Sequence, residues 1–368
     1  MKATAWAILG GFTWLAAMAG CSFETEAEVH VRQGRQLVRQ GDYEQAIADY
    51  SRAIELKPDW AEAYYRRGLA HSARSSHDLA VADYSRAIRL RPDWAAAYYS
   101  RGISYGNQGR GDHALTDFGD VIRLRPDKPT AYVRRAEVHA SMGRHAAAIA
   151  DYTEGIRLEP NAAVFYVRRG DVHGEAGNLE QSIADYSTAI QLDPSAADAY
   201  YNRGLAFDDM DDYVQAIADF TAAIRLRPDD ADAFINRGYA FDEIGDRRAA
   251  IADFTKAITL RPDDPTAHFN RGFVHDANGD HDLAIADYSA VLRLTPDDPT
   301  AFYNRALTHS HKGDVSQAIQ DCTEAIRLKK DYAKAYQLRG RAYREQGEDA
   351  DAERDFDTAS QLDNLPGR

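Results

Sequence analysis

Cysteine is almost missing from the 368 residues: Cys21 and Cys322 stand in unlike settings, which excludes both a disulfide framework and a thiolate metal cage. There is no run of lysine or arginine, and 44 basic residues against 58 acidic ones leave a net charge of −14. Nucleic-acid backbones are bound through cationic faces that release counterions, so nucleic acid is excluded as the main partner. Also lacking are a glycine-rich phosphate loop, a nucleophile elbow, an HExxH pair and a Cys-x-x-Cys pair. Neither a catalytic residue, a cofactor nor a small-molecule substrate is therefore expected. What is present is 44% apolar content, enough to build a sizeable core.

Residues 1–20 carry one charge, at Lys2, and then eighteen uncharged residues, before the chain turns polar at Cys21-Ser22-Phe23-Glu24. This is the layout of a signal peptide. Thr4, Gly10, Gly11 and Thr13 interrupt the stretch, which weakens a permanent span needing about 20 strongly apolar residues. The tetrapeptide Met18-Ala19-Gly20-Cys21 resembles the lipobox of bacterial lipoproteins, with Met18 where leucine is most common. That resemblance implies cleavage before Cys21 and lipid on Cys21, each buried methylene contributing about 0.8 kcal/mol to membrane attachment. Ser22 in place of aspartate resembles the pattern of Gram-negative lipoproteins sent to the outer membrane. The expected location is the bacterial cell envelope, lipid-anchored at the outer membrane and facing the periplasm. An ordinary cleaved signal, giving a secreted or periplasmic soluble protein, is the alternative. Residues 21–26 form a short tether reaching less than about 20 Å.

Everything after the tether is periodic. Proline recurs at 58, 92, 126, 160, 194, 228, 262 and 296, a constant step of 34. With each of these prolines at repeat position 32, ten units begin at 27, 61, 95, 129, 163, 197, 231, 265, 299 and 333, end at residue 366 and leave 367–368 as a tail. Within a unit, apolar residues spaced by three and four predict two amphipathic helices, for example over 198–208 and 213–226. Position 8 is glycine in eight units and alanine in two (Ala136, Ala306), and position 20 is alanine in nine and Ser182 in one. Small side chains there allow the paired helices a close approach. Position 24 is aromatic in nine units, with Cys322 as a small buried hydrophobe in the other.

Tyr200, Gly204, Phe207, Ala216, Phe220, Ala223 and Pro228 resemble the tetratricopeptide repeat signature, and the likeness covers about 340 residues. The resemblance implies an all-α fold: a right-handed α-solenoid of ten helix-turn-helix units, the first helix of each lining an inner groove. Each unit depends on its neighbours to cover its apolar face. In the last unit Glu353 replaces an aliphatic residue and Ser360 an isoleucine, so its outer helix expects water and the array is expected to end there.

Twelve histidines invite a metal site, but five of them (71, 139, 173, 275 and 309) fill position 11, a packing slot held elsewhere mainly by aromatics. Ligands 34 residues apart are expected on successive repeats rather than around one ion, so no metal site is expected. Asp at position 23 of every unit and Arg at position 7 of nine share the period of the fold. They read as structural ion pairs.

Recognition is sought on the first-helix face opposite the core, at positions 2, 6, 9 and 13, given about 100° per residue. Position 6 carries Asn202, Asn236, Asn270 and Asn304 in four consecutive units. A carboxamide both donates and accepts, so this row suits an extended peptide backbone. Tyr239 and Phe273 at position 9 suit apolar ligand side chains, and Asp208, Asp242 and Asp276 at position 12 favour Lys or Arg in the partner. Arg66, Arg134 and Arg168 at position 6 suit acidic groups, although Glu137 and Asp171 stand three residues beyond the latter two. The chaperone carboxylate clamp is missing: Tyr65 and Tyr99 occupy position 5, and position 9 has no asparagine. The expected function is a non-catalytic scaffold or adaptor at the cell envelope that binds extended segments of other proteins. The alternative is a regulatory or substrate-delivery subunit of an envelope hydrolase or assembly machine.

Overall fold

The computed structural model describes residues 24–364, so Cys21 and the signal-like segment lie outside the described residues. The described residues form twenty α-helices, paired throughout, and no strands. First helices begin at Ala61, Ala95, Pro129, Ala163, Ala197, Ala231, Pro265, Pro299 and Ala333, each 34 residues after the last. The earliest described helix, Glu26–Gln40, starts with a capping box in which Thr25 and Glu28 satisfy each other's backbone N–H groups. None of the described helices is long and apolar enough to cross a membrane.

Local chemistry explains where each helix stops. At position 15, between the two helices of a unit, eight glycines adopt φ between 68° and 85°, a left-handed conformation that costs a residue without Cβ almost nothing. Ser75 and Asp211 hold the same turn at φ 58°. Second helices end at the residue before the Arg-Pro-Asp segment. Lys57, for example, sits at φ −140°, as the ring of Pro58 requires of its predecessor. Lys329 takes nearly the same geometry although Lys330 follows it, so packing and not proline alone fixes the corner.

The chain forms two compact units, Met1–Asn161 and Ala162–Arg368. Each is a stack of helix pairs with the architecture of an α-solenoid, repeats 1–4 in one and repeats 5–10 in the other. The core within a repeat is a small-against-large joint. A Cβ added to Gly204 would lie 2.8 Å from the ring of Phe220, and one added to Gly68 would lie 2.7 Å from Tyr84. Position 8 stays small because position 24 is aromatic, and filling it forces overpacking worth about 1–3 kcal/mol. In repeat 9 both partners change together: Ala306 faces Cys322, which is fully buried, its thiol pushed up to about 12 by burial. Ser182 keeps its hydroxyl in the core by donating to the carbonyl of Gly170 at 2.8 Å.

The period-locked acids and arginines are ion pairs. Arg203 meets Asp219 through two parallel bonds of 2.7 Å, and the arrangement repeats from Arg67–Asp83 to Arg339–Asp355. In the first repeat Gln33 replaces the arginine, and His30 takes its place against Asp49 at 2.8 Å. In repeats 2, 3 and 6 to 10 the remaining guanidinium nitrogen also reaches a Ser or Thr of the preceding repeat, as Arg203 does with Ser187 at 2.8 Å and Arg67 with Ser51 at 2.9 Å. One side chain therefore joins its own helix pair to the preceding one.

Candidate peptide-binding groove

The four asparagines are half-buried on successive first helices of the second unit, but they do not act alike. Asn202 Nδ2 donates to Asp171 Oδ1 at 3.0 Å, Asn236 Nδ2 to the hydroxyl of Tyr201 at 2.8 Å, and Asn304 Nδ2 to the backbone carbonyl of Thr300 at 2.8 Å. Asn270 makes no side-chain hydrogen bond among the described residues. Three members of the row thus commit one of their two amide hydrogens inside the chain and keep the other together with the carbonyl oxygen; Asn270 commits none.

For Asn236 the cause lies at position 5 of the preceding repeat. Where that residue is a tyrosine, its hydroxyl reaches position 6 of the next repeat, 35 residues on: Tyr65 meets Ser100 at 3.4 Å, Tyr99 accepts from Arg134 at 3.4 Å, and Tyr201 accepts from Asn236. Before Asn270 and Asn304 the corresponding residues are Ile235 and Phe269, which offer no hydroxyl. These position-5 partners escaped the reading of position 6 alone, and a search for polar pairs 35 apart would have found them.

Beside Asn236 and Asn270, one helical turn on, stand Tyr239 and Phe273. They are 43% and 53% exposed, large values for aromatic side chains. Tyr239 rests edge-on against Tyr213, ring centroids 6.4 Å apart. A hydrogen bond to Glu243 raises the Tyr239 phenol above its ordinary value, so the ring presents a neutral face. Met210 and Ile244, both exposed, extend the apolar character toward the turns of repeats 6 and 7.

The three position-12 acids also differ. Asp276 accepts from two histidines, His281 and His311, each at 3.0 Å. Asp242 has Arg247 at 3.8 Å, and burial raises its carboxyl. Asp208 has an orphaned Oδ1 and is pushed up to about 6, by burial first and then by Asp209, Glu243 and Asp211. Of the three, Asp208 is the one whose environment would gain most from an incoming cation.

The basic position-6 residues already have partners. Arg134 bonds Glu137 at 2.8 Å, and Arg168 lies 3.5 Å from Asp171. Arg66 pairs with Glu62 one turn earlier, a contact the sequence reading passed over. In repeat 10 the equivalent Leu338 is buried against Ala306 and Cys322. Five position-11 histidines are half-buried or buried, and burial holds His71, His139 and His173 below the ordinary imidazole value.

A tetratricopeptide repeat profile matches residues 99–163, 235–299, 274–333 and 303–367, more than half of the chain. The chain belongs to the tetratricopeptide repeat family. A second profile, described as TPR repeat, matches 34–75, 73–109 and 170–211, and a single-repeat one matches 197–230. Proteins of this family generally mediate protein–protein interaction. Among solved structures, the C-terminal part of a TPR repeat-containing protein from Cytophaga hutchinsonii is 17% identical, with a TM-score of 0.58 over 65% of this chain and 98% of its own. A tetratricopeptide repeat protein from Parabacteroides merdae is 18% identical, with a TM-score of 0.51 over 65% of this chain and 94% of its own. At those identities the likeness is one of fold. YrrB, described as a TPR protein with an unusual peptide-binding site, is 27% identical over 50% of this chain and 95% of its own, with a TM-score of 0.46. A search of curated proteins found no match.

Proposed function

We propose that this chain is a non-catalytic interaction scaffold that binds an extended polypeptide on the first helices of repeats 6–9. The observation that carries the reading is Asn270, a carboxamide with no hydrogen-bond partner among the described residues, one helical turn before the exposed ring of Phe273. A peptide backbone needs one acceptor and one donor per residue, which Asn270 offers together, while Asn202, Asn236 and Asn304 offer carbonyl oxygens to successive N–H groups. Tyr239 and Phe273 receive apolar side chains, and the acidic neighbourhood of Asp208 and Glu243 favours a Lys or Arg toward repeats 6 and 7. Binding such a cation lowers the cost of ionising Asp208, which couples charge recognition to the groove.

The same proposal places the protein at a bacterial cell envelope through lipid on Cys21, supported by the Met18-Ala19-Gly20-Cys21 sequence and the uncharged stretch before it. The groove is tested by replacing Asn270 and Phe273 together with alanine and measuring retention of in-cell crosslinked partners. Partner capture should fall by about tenfold or more, the scale of losing one or two good contacts. Unchanged capture would refute the groove assignment.

A further inference from the structure

Asp276, His281 and His311 belong to three different segments: the end of one first helix, the start of the second helix of the same repeat, and the end of the first helix of the next. Their side chains nevertheless converge. The two carboxylate oxygens of Asp276 each face one imidazole Nδ1, from His281 and His311, at 3.0 Å. The ring centroids lie 5.8 Å apart, and one ligand atom from each residue falls within 4.8 Å of the other two. From this convergence we infer a binding site for one divalent transition-metal ion of the zinc class, with Asp276 Oδ and the two Nδ1 atoms as its protein ligands.

Three arguments support the assignment. The first is that the trio is not repeat consensus. The same three positions carry Ser72, His77 and Asn107 at the step from repeat 2 to 3, Asp208, Tyr213 and Glu243 at the step from 6 to 7, and Asp242, Arg247 and Ala277 at the next. The full ligand set occurs only between repeats 8 and 9. The second is the donor chemistry. Two imidazole nitrogens and one carboxylate oxygen form a borderline set that suits Zn²⁺, Co²⁺ or Ni²⁺ and leaves at least one position for water or a partner's side chain. With each ring proton on Nε2, both Nδ1 lone pairs point toward the carboxylate, so binding needs a tautomer change and no net loss of protons.

The third argument is mechanical. Tetrahedral zinc with bonds of about 2.1 Å separates its ligands by roughly 3.3 Å, so atoms that already lie within 4.8 Å of one another need close by no more than about 1.5 Å. Asp276 and His281 are mostly covered, with side chains 14% and 26% exposed, while His311 at 46% is free to move and leaves an entry path. The nearest lysine, Lys312, is held by Asp282 at 2.8 Å and Asp314 at 3.2 Å, which offsets its repulsion of a cation. This inference corrects the expectation that residues on successive repeats cannot surround one ion: His311 stands 35 residues after Asp276, one turn of the repeat, and the stacking of repeats brings the two within hydrogen-bond distance.

Titration of the metal-free full chain with Zn²⁺ alone by calorimetry, and with Co²⁺ by visible absorption, tests the site. The expected result is one high-affinity equivalent per chain, weakened by about tenfold or more in His311→Ala, whose half-exposed side chain can be removed without opening the core. His281→Ala should act in the same direction, and His77→Ala, at the same repeat position without the other two ligands, should leave the affinity unchanged. Helicity and metal-free melting temperature establish that each variant is folded. Absence of saturable binding in the wild type, or an equal affinity in folded His311→Ala and His281→Ala, would overturn the site.

Discussion

At the scale of single residues, buried paired charges differ from half-buried unpaired ones. Asp219 and its equivalents from Asp83 to Asp355 are buried and doubly bonded to arginine, and a buried pair that loses one member leaves an unpaired charge at a cost of about 3–5 kcal/mol. Asp208 is the opposite case, half-buried among other acids. Its carboxyl titrates at about 6 in the folded chain, against about 3.9 when unfolded. The folded state holds this proton more tightly, so the contribution of Asp208 to stability falls as pH rises from about 4 to about 6 and stays unfavourable above that. Asp208→Asn should therefore stabilise the protein at neutral pH by on the order of 1 kcal/mol, after allowance for solvent screening, and change little near pH 4. Urea denaturation at both pH values measures the difference; an equal effect at both would show that the local charge is not its source.

At the scale of helices, one arginine joins three elements: its own first helix, the second helix of its repeat through Asp, and the preceding second helix through a Ser or Thr. Arg135 lacks the third link because position 25 of repeat 3 is Gly119. A Cβ at Gly119 would stand 3.9 Å from Arg135 Nη1, an ordinary contact that displaces nothing. Gly119→Ser should restore the hydroxyl and raise helix propensity, stabilising the first unit by about 0.5–1.5 kcal/mol in a thermal or denaturant melt; a destabilised variant would contradict the stapling role. This level was well exposed in the sequence. The step of 34, the Gly204 and Phe220 positions and the turn at position 15 all follow from local sterics, which repeat whenever the residues do. The hydroxyl links were less visible, because Ser51, Ser187 and Thr221 interchange and their partner lies 16 residues on in another unit of the period.

At the scale of the molecule, the proposed function rests on where the period breaks. The asparagine row was legible at once, but its members were not equivalent: Tyr201 and Asp171 each take one amide hydrogen of Asn236 and Asn202, and only side-chain geometry shows that Asn270 has no such partner among the described residues. The His281–Asp276–His311 cluster was missed for a related reason, since treating each repeat position as a column hides contacts that run diagonally between position 12, position 17 and the following position 13. Both departures fall in repeats 7–9 of the second unit, next to the exposed rings of Tyr239 and Phe273. On the proposed function, this first-helix face receives another polypeptide. It is tested most directly by placing a photocrosslinking amino acid at Tyr239 and, as the control, at Lys256, an exposed position on a second helix. A discrete polypeptide adduct is expected from position 239, lost in the Asn270→Ala, Phe273→Ala background, with none from position 256; equal labelling from both positions, or adducts only from 256, would refute the groove.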